Sequence, residues 1–208
     1  MEVRVPVERW PYNRLERFAV GFLAQHHPSG EIPIPIEEII DLKMGIDILP
    51  INGLSALGSE SSVSRDMKTI YIDGDIYRHQ NSNRYRSTLA HELSHVLLHR
   101  DVFESASYND IDGYKKFVES ISEDDRGWIE NQAYNLSGLL LVPSDSLEEC
   151  YAEVADTLAA NGMDIRKLAP DGMKHVGKVF GQRFRVSSKI IHKRAVKLNL
   201  WSDDAVAD

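Results

Sequence analysis

The chain has 208 residues, of which 42% are hydrophobic and 27% charged, a balance that suits one folded body, or one domain with a small appendage, and excludes wholesale disorder. Its formal net charge of −8 sets the molecule as a whole against a nucleic-acid backbone. The single cysteine, Cys150, excludes an internal disulfide and a Cys-rich zinc finger and fits a reducing, cytoplasmic setting, while Met1 to Glu16 holds neither a signal-peptide apolar block nor a membrane span.

From Pro11 to about Gln25, Leu15, Phe18, Ala19 and Phe22 recur at helical spacing, and the run His26 to Gly30 ends that helix. Pro33 and Pro35 impose an extended approach to a short helix carrying Ile36, Ile39, Ile40 and Leu42, closed near Gly45. Ile46 to Ile51 alternates like a strand. Gly53 to Ser64, rich in Ser and Gly, reads as a loop or hairpin. Lys68 to Asp73, with Ile70, Tyr71 and Ile72, reads as another strand.

Asn81, Ser82 and Asn83 offer N-caps for a helix running to about His99, with Tyr85, Leu89, Leu93, Val96 and Leu97 as its apolar stripe. Asp101 to Arg126 is an acidic connection with some helix inside it. Gly127 to Leu141 is a second helix, through Ile129, Ala133, Leu136 and Leu140, stopped by Pro143. A third follows Ser144 or Asp145 and uses Leu147, Tyr151, Val154 and Leu158. Between Asn161 and Leu200, ten basic residues stand against Asp164 and Asp171, a local charge of +8 that leaves −16 elsewhere. That segment either faces its own partner or is attracted to the acidic remainder. The element order implies an α+β protein.

The chemistry is concentrated in His91-Glu92-Leu93-Ser94-His95. Two histidines four apart on a helix share nearly one azimuth, with Cβ atoms about 5–6 Å apart, so their imidazoles can converge on one Zn²⁺. Glu92, one residue on, is rotated off that axis, where it can reach a metal-activated water without being a ligand; this is the place for a general base. A catalytic zinc needs a third protein ligand, and Asp101 and Glu130 are the nearest downstream candidates. Asp101 would need a glycine turn at position 98, which is Leu98. Glu130, on the next strong helix, is the better choice.

Leu89 to His99, followed by Glu130-x-x-Ala133 and Leu139 to Pro143, resembles the ImmA/IrrE metallopeptidases over roughly Pro33 to Pro143. The resemblance implies that His91, His95 and Glu130 are zinc ligands and Glu92 the catalytic base. It also implies limited proteolysis of a partner, commonly a DNA-binding helix-turn-helix repressor. Tyr134 stands where the family commonly has Asn, and Val142 where Met is usual. The Tyr134 hydroxyl, on the Glu130 face of its helix, is either an oxyanion donor or, more often, a packing group. His99 reads as a capping or solvated histidine at a helix end, with support of the metal site as the alternative.

Phe184 to Ser188, followed by Ile190, Ile191, Ala195 and Leu198, resembles the turn and second helix of a helix-turn-helix unit. Lys189, His192, Lys193 and Lys197 would decorate its exposed face, compatible with a weak DNA contact, although a helix that merely covers the acidic body is equally expected. The expected architecture is therefore an α+β, zincin-like metallopeptidase body over 1–160 and a small helical C-terminal subdomain over 161–208. Zincin architecture further suggests Lys68 to Asp73 as a cleft edge for an extended substrate. The alternative function is a zinc-binding transcriptional regulator or interaction protein with little or no peptidase activity.

Overall fold

The long helix over 83–98 is the element on which the rest of the candidate chemistry hangs, and its start is set locally: the Ser82 hydroxyl accepts a hydrogen bond from the Tyr85 backbone N–H at 3.1 Å. In the computed structural model, which describes Val5 and residues 7–104 and 111–202, the elements run as follows. Helix α1 spans Tyr12–His26, and α2 (Ile36–Glu38) continues into a π-helical turn, Ile39–Lys43. Strand β1 is Asp47–Ile51, β2 is Ser61–Val63 and β3 is Thr69–Asp73. Helices α3 (Gly74–Arg78), α4 (Asn83–Leu98), α5 (Arg100–Glu104), α6 (Ile111–Ser120) and α7 (Glu123–Leu141) come next. Then follow α8 (Ser144–Ala160), α9 (Pro170–Phe184) and α10 (Ser188–Lys197). The fold is α+β, mostly helical, with a small three-stranded sheet.

The sheet order is β1-β3-β2, with β1 parallel and β2 antiparallel to β3. Ile70 and Ile72 of β3 are fully buried, as a central strand requires. This overturns the expectation that Lys68 to Asp73 forms a cleft edge: β3 has a neighbour on both sides, and among the described residues the edges belong to β1 and β2. The Ser- and Gly-rich stretch holds a short 3₁₀ turn, Ser55–Leu57, and β2, so it forms half of a hairpin with β3. The acidic connection contains α5, α6 and the start of α7. Its residues 105–110 lie outside the described residues.

The chain divides into two compact units, residues 1–18 with 36–137, and residues 19–35 with 138–208. In the first, Tyr85, Leu89, Ala90 and Leu93 of α4 are fully buried, as are Ala133 and Leu136 of α7. The Tyr85 hydroxyl donates to Glu37 at 2.7 Å, fixing α4 to α2. The Trp10 backbone N–H donates to the Gln132 side-chain oxygen at 2.7 Å, and Arg9 pairs with Asp124 and Asp125, so Arg9 and Trp10 are held along α7.

In the second unit, Phe180, Phe184, Val186, Ile191 and Ala195 form the core of the α9–α10 pair. Residues 185–187 join the two helices. Arg185 ends α9 in the left-handed region (φ 53°), and the Val186 N–H donates to the Gly181 carbonyl at 2.9 Å. A Cβ on Gly181 would lie 2.9 Å from the Val186 carbonyl oxygen, so only glycine lets the turn fold back this closely. Ser187 caps α10. The buried Arg194 donates to the Val142 carbonyl at 3.0 Å and to the Ser144 hydroxyl at 2.8 Å, and Arg183 pairs with Glu153 at 2.6 Å. Part of the basic excess is therefore engaged within its own unit.

Candidate metal centre

Helix α4 packs Leu89, Leu93 and Val96 into the core and carries His91 and His95 on the side away from them, as their four-residue spacing requires. Their Nε2 atoms stand 3.1 Å apart. Glu130 approaches from α7, with Oε2 at 3.3 Å from His91 Nε2 and Oε1 at 3.7 Å from His95 Nε2. These three residues form a group able to hold a metal ion, with donor atoms all within 4.8 Å of one another. Around a tetrahedral ion with arms of about 2.0–2.1 Å, neighbouring donors lie about 3.3–3.4 Å apart. The observed separations bracket that value. Two histidine nitrogens and a carboxylate oxygen are also the donor types that zinc takes at catalytic sites. Asp101 is exposed on α5 and does not join the group.

Glu92 is 5% exposed and accepts a hydrogen bond from the Ser61 hydroxyl at 2.6 Å. Burial raises its pKa, while the neighbouring His91 and the Ser61 hydroxyl pull it back and Glu130 adds to the rise. The raised pKa makes Glu92 a stronger proton acceptor than an exposed carboxylate, which suits general-base work. Ser61 went unnoticed in the sequence because it sits in an unpatterned Ser-rich stretch, and only the β2–β3 hairpin brings it to the helix.

Burial pulls the His91 pKa down, but the carboxylates of Glu130 and Glu92 outweigh it and the net shift is upward. His95, more deeply buried and flanked by His91 and His99, is held well below the ordinary histidine range. His99 is not solvated: it is 2% exposed, its Nδ1 lies 3.1 Å from His95 Nδ1, and burial pushes its pKa down to about 4. Tyr134 is 65% exposed with its ring centroid 4.6 Å from that of His91, so it borders the group from α7 and is not a core residue.

A cation held by these donors cross-links α4 to α7. Chelation is therefore expected to lower the melting temperature. Free metal at a hundred times its Kd stabilises the native state by about 2.7 kcal/mol, equivalent to about 5–10 °C for a chain of this size. An unchanged melting curve in a fully stripped sample would exclude the centre.

No helix among the described residues is long and apolar enough to cross a membrane. The peptidase M78 family model, described as the IrrE N-terminal-like domain, matches residues 42–196. No curated protein sequence matches the chain. A solved structure described as a Mycobacterium tuberculosis transcriptional regulator is similar in fold, with a TM-score of 0.51 at 15% identity over 88% of this chain. The match covers 46% of that protein, so the chain spans about half its length.

Proposed function

The chain belongs to the IrrE N-terminal-like peptidase family, and on that premise we propose that it is a zinc-dependent endopeptidase performing limited proteolysis of a regulatory protein, with a DNA-binding helix-turn-helix repressor as the expected substrate. The observation that carries the reading is the convergence of His91, His95 and Glu130 within 4.8 Å, with the buried Glu92 beside them. His91, His95 and Glu130 would hold Zn²⁺. Once bound, the ion supplies Lewis acidity toward a peptide carbonyl and the attacking water. Glu92 accepts the proton of that water and returns it to the leaving amine. Ser61 holds one Glu92 oxygen, which would leave the other to take the proton. Since β3 is interior to the sheet, an extended substrate would pair with the β2 edge, the strand that carries Ser61.

In this reading residues 1–160 are a zincin-like metallopeptidase domain and 161–208 a helical C-terminal subdomain, and the buried lone thiol Cys150 accords with a cytoplasmic location. The test is incubation of the purified protein with the repressors encoded beside its gene, with and without chelator, followed by mass spectrometry of the products. Zinc-dependent fragments with a single cut site are expected. Failure to cut any of them, with zinc bound, would favour the alternative of a zinc-binding regulator or interaction protein with little or no peptidase activity.

One observation favours a nucleic-acid role alongside catalysis: α10 follows a three-residue turn and leaves Lys189, Lys193 and Lys197 exposed on it. A weak DNA contact there should produce a mobility shift at low salt that disappears when the three lysines are neutralised together. A shift that survives the triple substitution would remove α10 from the contact.

A further inference from the structure

We infer that His99 is a positioning residue for the metal centre: its Nδ1 accepts a hydrogen bond from His95 Nδ1–H, which fixes the tautomer and ring angle that present His95 Nε2 to the cation. The inference rests on the metal-binding reading of His91, His95 and Glu130 and deepens it.

The geometry leaves one consistent proton arrangement. His95 Nε2 faces His91 Nε2 at 3.1 Å and Glu130 Oε1 at 3.7 Å, so a metal-ready His95 carries no proton there and must carry it on Nδ1. That nitrogen lies 3.1 Å from His99 Nδ1. A hydrogen bond between them requires His99 Nδ1 to be bare, which puts the His99 proton on Nε2. Ligating histidines generally donate their second ring N–H to an oriented acceptor, commonly a carboxylate or a carbonyl. Here a neutral imidazole fills that place.

The backbone is shaped to put it there. His99 ends α4 with φ −122° and ψ 19°, its N–H bonded to the His95 carbonyl at 2.9 Å. Its own carbonyl accepts from Val102 and Phe103 at 3.1 and 3.2 Å, starting α5. The corner turns the His99 ring beneath His95. Phe103 closes the other side, with its ring perpendicular to that of His95 at 5.8 Å.

Stability alone does not account for this imidazole. His99 Nε2 is buried and meets no hydrogen-bond partner among the described residues, and an unmet buried donor is destabilising. An apolar side chain of similar shape would pack there without that penalty. The benefit of histidine therefore lies in the bond to His95.

Three variants separate the roles. Asn places its carbonyl oxygen near the position of Nδ1, Gln places its own near Nε2, and Phe keeps ring bulk with no acceptor. In zinc titrations of the full chain against a competing chelator, His99→Phe and His99→Gln are expected to bind about tenfold or more weakly, while His99→Asn stays within about threefold of wild type. The metal-free melting temperature of His99→Phe is expected to equal or exceed that of the wild type. In the zinc-loaded wild type, histidine ¹⁵N shifts should report a proton on Nδ1 of His95 and on Nε2 of His99. Wild-type-like zinc affinity in His99→Phe, or the opposite tautomers, would overturn the positioning role while leaving the metal centre standing. A wild type that takes up no zinc would overturn the metal reading itself, and this inference with it.

Discussion

Glu92→Gln is expected to reduce cleavage of the cognate substrate by about 10²–10⁴-fold while zinc uptake stays unchanged. The amide is nearly isosteric with the carboxylate, and its carbonyl oxygen can still accept from the Ser61 hydroxyl that now bonds Glu92 at 2.6 Å. The pocket should therefore keep its shape. What is lost is the capacity to take a proton. Because Glu92 is 5% exposed, bulk buffer cannot readily stand in for it. Parallel measurement of zinc content and of fragment release by the variant separates loss of the base from loss of the metal. Cleavage at the wild-type rate would remove Glu92 from the chemistry and transfer support to the regulator alternative.

Glu130→Ala should weaken zinc binding by about tenfold or more, and Asp101→Ala should leave it nearly unchanged. The two Glu130 oxygens stand 3.3 and 3.7 Å from the nitrogens of His91 and His95, so alanine would remove one of three convergent donors and the only negative charge among them. Ile129 and Ala133, buried beside it on α7, hold the helix in place without the carboxylate. The variant should thus fold. Asp101 is exposed on α5. Competition with a chromophoric chelator gives both affinities in one format, and the reverse ranking of the two variants would sink the ligand assignment.

The motif helix was legible because its information is local. A serine cap, an apolar stripe and two histidines at helical spacing define α4 to within a residue or two, and Pro143 marks the end of α7 equally well. Glu130 was legible for a related reason, since its helix carries its own buried stripe. The central position of β3 was not, because strand order depends on which partners close around a strand, and Lys68 to Asp73 reads the same at an edge or in the middle. The Ser61–Glu92 bond spans 31 residues and leaves no local pattern. His99 does cap the end of α4, as its position in the sequence suggested, but it is buried and not solvated, and that was not legible because the burial depends on α5 folding back immediately after it. The first helix of the α9–α10 pair was obscured by Gly172, Gly177 and Gly181, which lower helix propensity yet permit close packing.

The burial of Arg194 changes how the basic end of the chain would behave toward a polyanion. The +8 excess between residues 161 and 200 suggests a strong electrostatic grip, but Arg194 is spent on the Val142 carbonyl and the Ser144 hydroxyl, and Arg183 faces Glu153. The exposed lysines of α10 are Lys189, Lys193 and Lys197. Three phosphates neutralised release about 2.7 counterions, so affinity would fall roughly fortyfold between 50 and 200 mM salt. Contact of that kind is fleeting on its own at physiological ionic strength, and it would contribute chiefly when a second attachment, such as a bound repressor, already holds the protein beside the duplex.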